Sequence, residues 1–183
     1  MTGMSLDQPP AVRTQPELAE MAPLAPGGLR FAARVIDALV LLVLWLVATV
    51  ATGMFGDVMR AQERGDGLME SAEALDPAKA VLAFGIVYLG YFLYEGALLA
   101  HNGQTLGKRA VGIRVAMLAD GDLPGHRGWT RAAVYAFPGL LGGSPFGLFG
   151  QLFWVVNSLW FVRDHPYHQC LHDKAAKTVV VRA

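Results

Sequence analysis

Asp37 lies inside an apolar run that extends from Phe31 to Met54, and two arginines, Arg30 and Arg34, stand at the mouth of that run. The run is about 24 residues, and at 1.5 Å per residue it is long enough for a hydrocarbon core of about 30 Å. An Asp at the centre of such a helix costs about 2.5 to 3.5 kcal/mol. The carboxylate therefore has to face protein or water rather than lipid. On a helix, residues seven apart return to nearly the same face, so Arg30 and Asp37 share a stripe, and Arg34 lies three residues before the acid. The spacing predicts a guanidinium–carboxylate cluster at the cytoplasmic edge of a membrane bundle.

The rest of the composition agrees with a membrane protein. Of 183 residues, 54% are hydrophobic and 16% charged, where soluble chains run at roughly a quarter charged. Mean hydropathy is +0.37. Formal net charge is zero, which gives no bulk electrostatic basis for binding nucleic acid. One cysteine, Cys170, excludes an intramolecular disulfide and paired-cysteine zinc motifs.

Residues 1–28, rich in Pro, Gln, Ala and Gly, read as a disordered cytoplasmic tail without a signal-peptide core, and residues 29–183 as one membrane domain. After the first span, Asp57 to Lys79 reads as a polar, acidic loop, which belongs outside because lysine and arginine are retained in the cytoplasm. Gly65-Asp-Gly67 breaks any helix there, and Asp76-Pro77 is a helix start. A second span runs from Ala80 to Ala100. It carries Tyr88, Tyr91 and Glu95 on one face, an interfacial tyrosine belt with an acid that must snorkel or pair.

His101 to Arg131 reverses the charge, with Lys108, Arg109, Arg114, Arg127 and Arg131, and reads as a cytoplasmic loop. Within it, Ala110 to Met117 alternates like a strand, and Thr178 to Val181 is the other strand; pairing them satisfies both backbones. Ala132 to Val162, about 31 residues, is long for one untilted span and is broken at Pro138-Gly and at Gly142-Gly-Ser-Pro145. Either a short interfacial helix precedes a single span, or the two pieces form a hairpin that returns the chain to its starting side. The basic tail and the strand pairing favour a cytoplasmic C-terminus. The expected fold is an all-α membrane protein: a small transmembrane helical bundle of three to four membrane segments with a short cytoplasmic β pairing.

Two patterns that suggest ligands do not hold up. Gly103-Gln-Thr-Leu-Gly-Lys108-Arg109 has three residues between its glycines where a phosphate loop has four, and Arg109 occupies the magnesium-binding hydroxyl position. It reads instead as a tight turn presenting Lys108 and Arg109 to headgroups or carboxylates. His165, His168 and His172 with Cys170 have helical zinc spacing, but Pro166 interrupts them and no metal site is assigned. Asp173, in Leu171-His-Asp-Lys174, lies on a segment that should return to the face where Arg30, Arg34, Lys108 and Arg109 gather.

Together these segments resemble the RDD family of small bacterial membrane proteins, named for one arginine and two aspartates. The arginine corresponds to Arg30, the first aspartate to Asp37 and the second to Asp173; Gly103 to Val115 matches the middle motif. The resemblance covers Gly28 to Arg182. It implies a multi-pass protein of the bacterial inner membrane and a transport role for an unidentified ligand, with sodium–proton exchange as one form of it.

Two functions follow from the residues. In one, an oligomeric transporter of ions or small solutes binds cations or protons at Asp37 and Glu95, tuned by Arg30, Arg34 and Lys108. In the other, a non-catalytic membrane scaffold or assembly factor uses the Arg/Asp cluster as a structural latch. The expected partners are the bilayer and further copies or other membrane proteins, not nucleic acid. No nucleophile–base constellation or cofactor motif points to an enzyme.

Overall fold

The computed structural model describes residues 22–67, 70–71 and 75–183. Of the expected tail, residues 1–21 lie outside the described residues. The remainder is mostly helical with one small sheet: α1 (Gly27–Ala51), α2 (Met54–Arg64), α3 (Pro77–Asn102), α4 (Leu106–Ala110), β1 (Ile113–Met117), α5 (His126–Ala136), a 3-10 helix (Phe137–Gly143), α6 (Gly147–Arg163), α7 (Leu171–Ala176) and β2 (Thr178–Arg182).

Two helices, α1 and α3, are long and apolar enough to cross a membrane. Only 17% and 28% of their apolar stretches are buried, where the core helix of a soluble protein would be mostly covered. Leu39, Leu42, Val43, Leu46, Val47 and Val50 all face outward from α1, the arrangement that lipid contact demands. Both helices extend beyond the expected spans at their N-terminal ends. For α3 the reason is local: Asp76 caps the helix, its Oδ1 accepting from the Ala78 N–H at 2.9 Å, and Pro77 takes the first turn.

The acidic connection is not all loop. Gly53, at a φ of 76°, turns the chain after α1, and Met54 to Arg64 forms α2 before Gly65 ends it in the left-handed region. Asp57 in its first turn complements the helix dipole, and Arg64 lies in its last turn. Lys79 Nζ donates to Asp57 at 2.6 Å, and Arg60 pairs with the same carboxylate, so α2 is tied to the start of α3.

At the other end, β1 and β2 pair antiparallel, Ile113 opposite Arg182 and Met117 opposite Thr178. Residues 22–26, expected in the tail, instead lie along the free edge of β2. Leu24 bridges to Val181, and the Ala25 N–H donates to the Val180 carbonyl at 2.9 Å. This segment shields a sheet edge that would otherwise be open.

The broken apolar region takes the hairpin form. Ser144 to Phe146 reverses the chain between the 3-10 helix and α6, and Trp154 Nε1–H donates to the Tyr135 carbonyl at 2.8 Å across the pair. The reversal brings the end of α6 back to α7 and β2. Both strands, the start of α1 and the end of α3 thus share one end of the bundle, and α2 occupies the opposite end.

Candidate functional site

Six elements deliver charged or polar side chains to the sheet end of the bundle. Helix α1 contributes Arg34 and Asp37; α3 contributes Tyr91, Tyr94 and Glu95; α4 and its cap contribute Lys108 and Thr105. Arg131 comes from α5, Asn157 from α6, and His172 and Asp173 from α7. Asp37, Glu95, Lys108, Arg131, His172 and Asp173 are all buried, a concentration of charge that survives only because its members satisfy one another.

Asp37 accepts from Thr105 Oγ1 at 2.6 Å, from the Gly107 N–H at 2.9 Å and from the Tyr94 hydroxyl at 3.0 Å. The Gly107 contact requires close approach of α4 to α1: a Cβ at Gly107 would collide with the Ala33 carbonyl oxygen. Only a glycine lets that backbone reach the carboxylate.

Glu95 is the hub of the cations. Its Oε1 lies 3.2 Å from Arg34 Nη1, 3.2 Å from Arg131 Nη1 and 3.6 Å from Lys108 Nζ. Its Oε2 is buried and without a hydrogen-bond partner among the described residues. Arg131 then spans the network, its Nε donating to Asp173 Oδ1 at 2.7 Å and its Nη2 facing His172 Nε2 at 2.9 Å. Asp173 also closes the first turn of α7, its Oδ2 accepting from the Cys170 N–H at 3.1 Å. Burial alone would raise the Asp173 pKa, but the Arg131 guanidinium and these hydrogen bonds hold it well below the usual carboxylate range.

His172 is fixed in one tautomer by its neighbours. Arg131 and Arg34 have only donors, so Nε2, at 2.9 and 3.5 Å from them, accepts from both. Nδ1 then carries the proton and donates to Asn157 Oδ1 at 2.8 Å. Burial, with Arg131 and Arg34 adding to it against the pull of Asp173 and Glu95, pushes the imidazole down to about 3. Lys108 is lowered to about 7, chiefly by burial and then by Arg34, with Glu95 opposing and Arg131 and Asp37 contributing less.

Cys170, His172 and Asp173 place potential metal-ligand atoms within 4.8 Å of one another. The donors do not suit a cation: both His172 nitrogens and both Asp173 oxygens are engaged, and burial pushes the Cys170 thiol up to about 11. The Arg131 guanidinium stands beside them.

Of the residues singled out in the sequence, Arg34, Asp37, Glu95, Lys108 and Asp173 come together, and two do not join them. Arg30 donates to three carbonyl oxygens, those of Ala25 at 3.0 Å, His168 at 2.5 Å and Val180 at 3.1 Å, and so ties the start of α1 to the tail and β2. Its donors are taken up by these carbonyls rather than by the acid. Arg109 is exposed on the outer face of α4. Arg131 and His172 are central, yet sequence reasoning counted the first as a loop charge and the second as a failed zinc ligand. The spacing Gly128, Arg131, Ala132, Tyr135 is a helical stripe with small residues beside the arginine, and that is the signal that marks it as inward-facing.

A cavity of about 570 Å³ adjoins the network. Arg30, Arg34, Lys108 and Arg131 line it against one carboxylate, Asp173, and Phe31, Tyr135 and Phe161 supply apolar wall.

In comparison with known proteins, the model of the RDD family matches residues 24–177. No curated protein and no solved structure matches the chain.

Proposed function

The chain belongs to the RDD family, and on that premise we propose that it is a membrane protein of the transport class whose cavity binds a small anion or anionic solute. The observation that carries this reading is the lining of the cavity, four basic side chains against a single carboxylate. Among the described residues Lys108 Nζ makes one hydrogen bond, to Thr105 Oγ1 at 3.2 Å, while Glu95 and Asp37 lie at 3.6 and 3.8 Å, beyond hydrogen-bond distance, so the ammonium retains donor capacity toward a ligand. Cation exchange at the carboxylates has less support, because Asp37, Glu95 and Asp173 each already face protein donors. The site is one for binding rather than for catalysis.

Orientation follows from the distribution of lysine and arginine. The sheet end carries Lys108, Arg109, Arg114, Arg127 and Arg131 and is the cytoplasmic end, with α2 outside. Counting both arms of the hairpin gives four membrane segments, in a bacterial inner membrane.

A second reading is favoured by one specific observation. Asp37 collects three hydrogen bonds from α3, Thr105 and α4, an arrangement suited to a latch that holds the bundle closed. The two readings separate by experiment. Purified protein is titrated with inorganic phosphate and with butyrate by calorimetry, then reconstituted in proteoliposomes for anion flux. Saturable binding lost in Lys108→Met, in protein that still melts cooperatively, supports the anion site. Absence of binding by either anion leaves the latch. Sodium-driven proton flux that disappears in folded Asp37→Asn would return the function to cation exchange.

A further inference from the structure

The cavity has a mouth on the apolar side of the bundle. Its rim is formed by Gly28 and Phe31 from the first turns of α1 and by Ser158 near the end of α6, all exposed. Phe31 is 72% exposed, and Val35, Leu159 and Val162 continue the outward apolar faces of the same two helices. Toward the helix ends the gap narrows, since the Phe161 ring lies within 3.1 Å of where a Gly27 Cβ would stand. The open path therefore leads to the apolar surface around α1 and α6, about one turn in from the start of α1. At 1.5 Å per residue Phe31 lies about 6 Å along α1, near the end of an apolar helix long enough to span a bilayer.

The chemistry changes along that path. Phe31 and Phe161 form its outer part. At its inner end Arg34, with 24% of its side chain exposed, stands before Lys108 and Arg131, which are 4% and 3% exposed. Arg30 on the same wall spends its donors on neutral carbonyls and so has no carboxylate partner. Arg34, Lys108 and Arg131 match Asp37, Glu95 and Asp173 charge for charge when Lys108 is protonated, so the Arg30 charge on the cavity wall is left uncompensated in a site of low dielectric. A charge so placed is stabilised by an anion arriving with its own apolar portion.

We propose that this cavity is a lateral binding site for an anionic lipid bearing one negative headgroup charge. The phosphate sits among Arg34, Lys108 and Arg131, and the upper part of an acyl chain lies between Phe31 and Phe161. The inference rests on the anion-binding reading above and adds that the ligand enters from the bilayer rather than from water. The volume, about 570 Å³, lies within the range of pockets that enclose a headgroup-sized ligand.

The test uses the full chain reconstituted in bilayers with spin-labelled phosphatidylglycerol or, as the neutral control, spin-labelled phosphatidylcholine. Electron paramagnetic resonance reports the motionally restricted fraction of each. The expected result is an excess of restricted phosphatidylglycerol over phosphatidylcholine. Lys108→Met should lower the relative association constant about tenfold, the loss of one or two charge-assisted hydrogen bonds. Lys108→Arg, which keeps the charge, should retain most of it and controls for folding. Ser158→Trp, at an exposed rim position, should abolish the lipid excess by closing the mouth with a bulky side chain.

Phosphate or butyrate binding without a phosphatidylglycerol excess overturns lateral entry and leaves the anion site standing. If neither soluble anion nor lipid binds, both readings fall. An excess that persists undiminished in Lys108→Met and Ser158→Trp marks lipid adhering elsewhere and also overturns the inference.

Discussion

Because Arg34 and Arg131 both donate to His172 Nε2, a proton added there would meet two guanidiniums at 3.5 and 2.9 Å, with only Asp173 and Glu95 to offset them. The folded imidazole stays neutral down to about 3, whereas the unfolded one takes its proton near 6.5. Between those values the unfolded state binds more protons, so stability falls as pH drops through that window, by about 2 kcal/mol at pH 5 from this residue. Thermal midpoints measured from pH 7 to pH 4 should decline in the wild type and flatten in His172→Gln; a level wild-type curve would show that the imidazole is not held neutral. Asp173 acts lower: its depressed pKa contributes stability above about 3.8, lost as pH falls through its folded value. Arg131→Met leaves Asp173 buried without its cation, and removing one partner of such a pair costs about 3–5 kcal/mol. The melt should therefore fall sharply, and Arg131→Met combined with Asp173→Asn should recover part of the loss. The roles of Arg131 and His172 were not legible in the sequence, whereas Asp173 was singled out there. Charge-topology rules treat an arginine beside an apolar run as water-facing, and Arg131 stands one residue before Ala132. Asp37 and Glu95 were legible because an acid inside an apolar run admits few physical solutions.

Helix α4 is five residues long and owes its place to docking rather than to propensity. Thr105 caps it while also donating to Asp37, and Gly107 lies against the Ala33 carbonyl. In Gly107→Ala the added methyl must push α4 off α1, lengthening the Gly107 N–H bond to Asp37. The expected cost is about 1–3 kcal/mol, read as a lowered thermal midpoint, and a midpoint equal to the wild type's would mean that the close approach is not needed. Gly128 makes the same kind of contact, with a Cβ only 2.6 Å from the Ala100 nitrogen, so α5 packs against the backbone of α3 and carries Arg131 inward. The strands were readable because alternation and the need to pair backbone groups both point to β structure. Helix α2 was not. Asp57, Arg60 and Arg64 look like loop charges until the chain is seen to lie along a helix whose salt bridge from Asp57 to Lys79 holds it at the bundle end.

At the scale of the molecule, the hairpin of the 3-10 helix and α6 decides which residues can meet. The sequence marked its breaks at Pro138 and Gly142 but left open whether the chain crosses or returns, because hydropathy is the same for both. What resolves it is pairing at a distance: Trp154 with the Tyr135 carbonyl, then Asn157 with His172. Without the return, Asp173 and β2 would lie across the membrane from Arg131 and β1. Because β1 and β2 form one sheet, residues 118–124 and the C-terminal end share one end of the bundle, and α2 lies at the other. In the proposed orientation, for which the excess of lysine and arginine at the sheet end argues, that end is cytoplasmic. A reporter active only in the periplasm should be silent when fused after Ala183 or inserted after Asp120, and active when inserted after Gly67. A bright signal after Ala183 with silence at Asp120 would require β1 and β2 to separate across the bilayer. That outcome would dismantle the charge network together with the sheet, since α7, which carries Asp173, is joined to β2 by a single residue, Lys177.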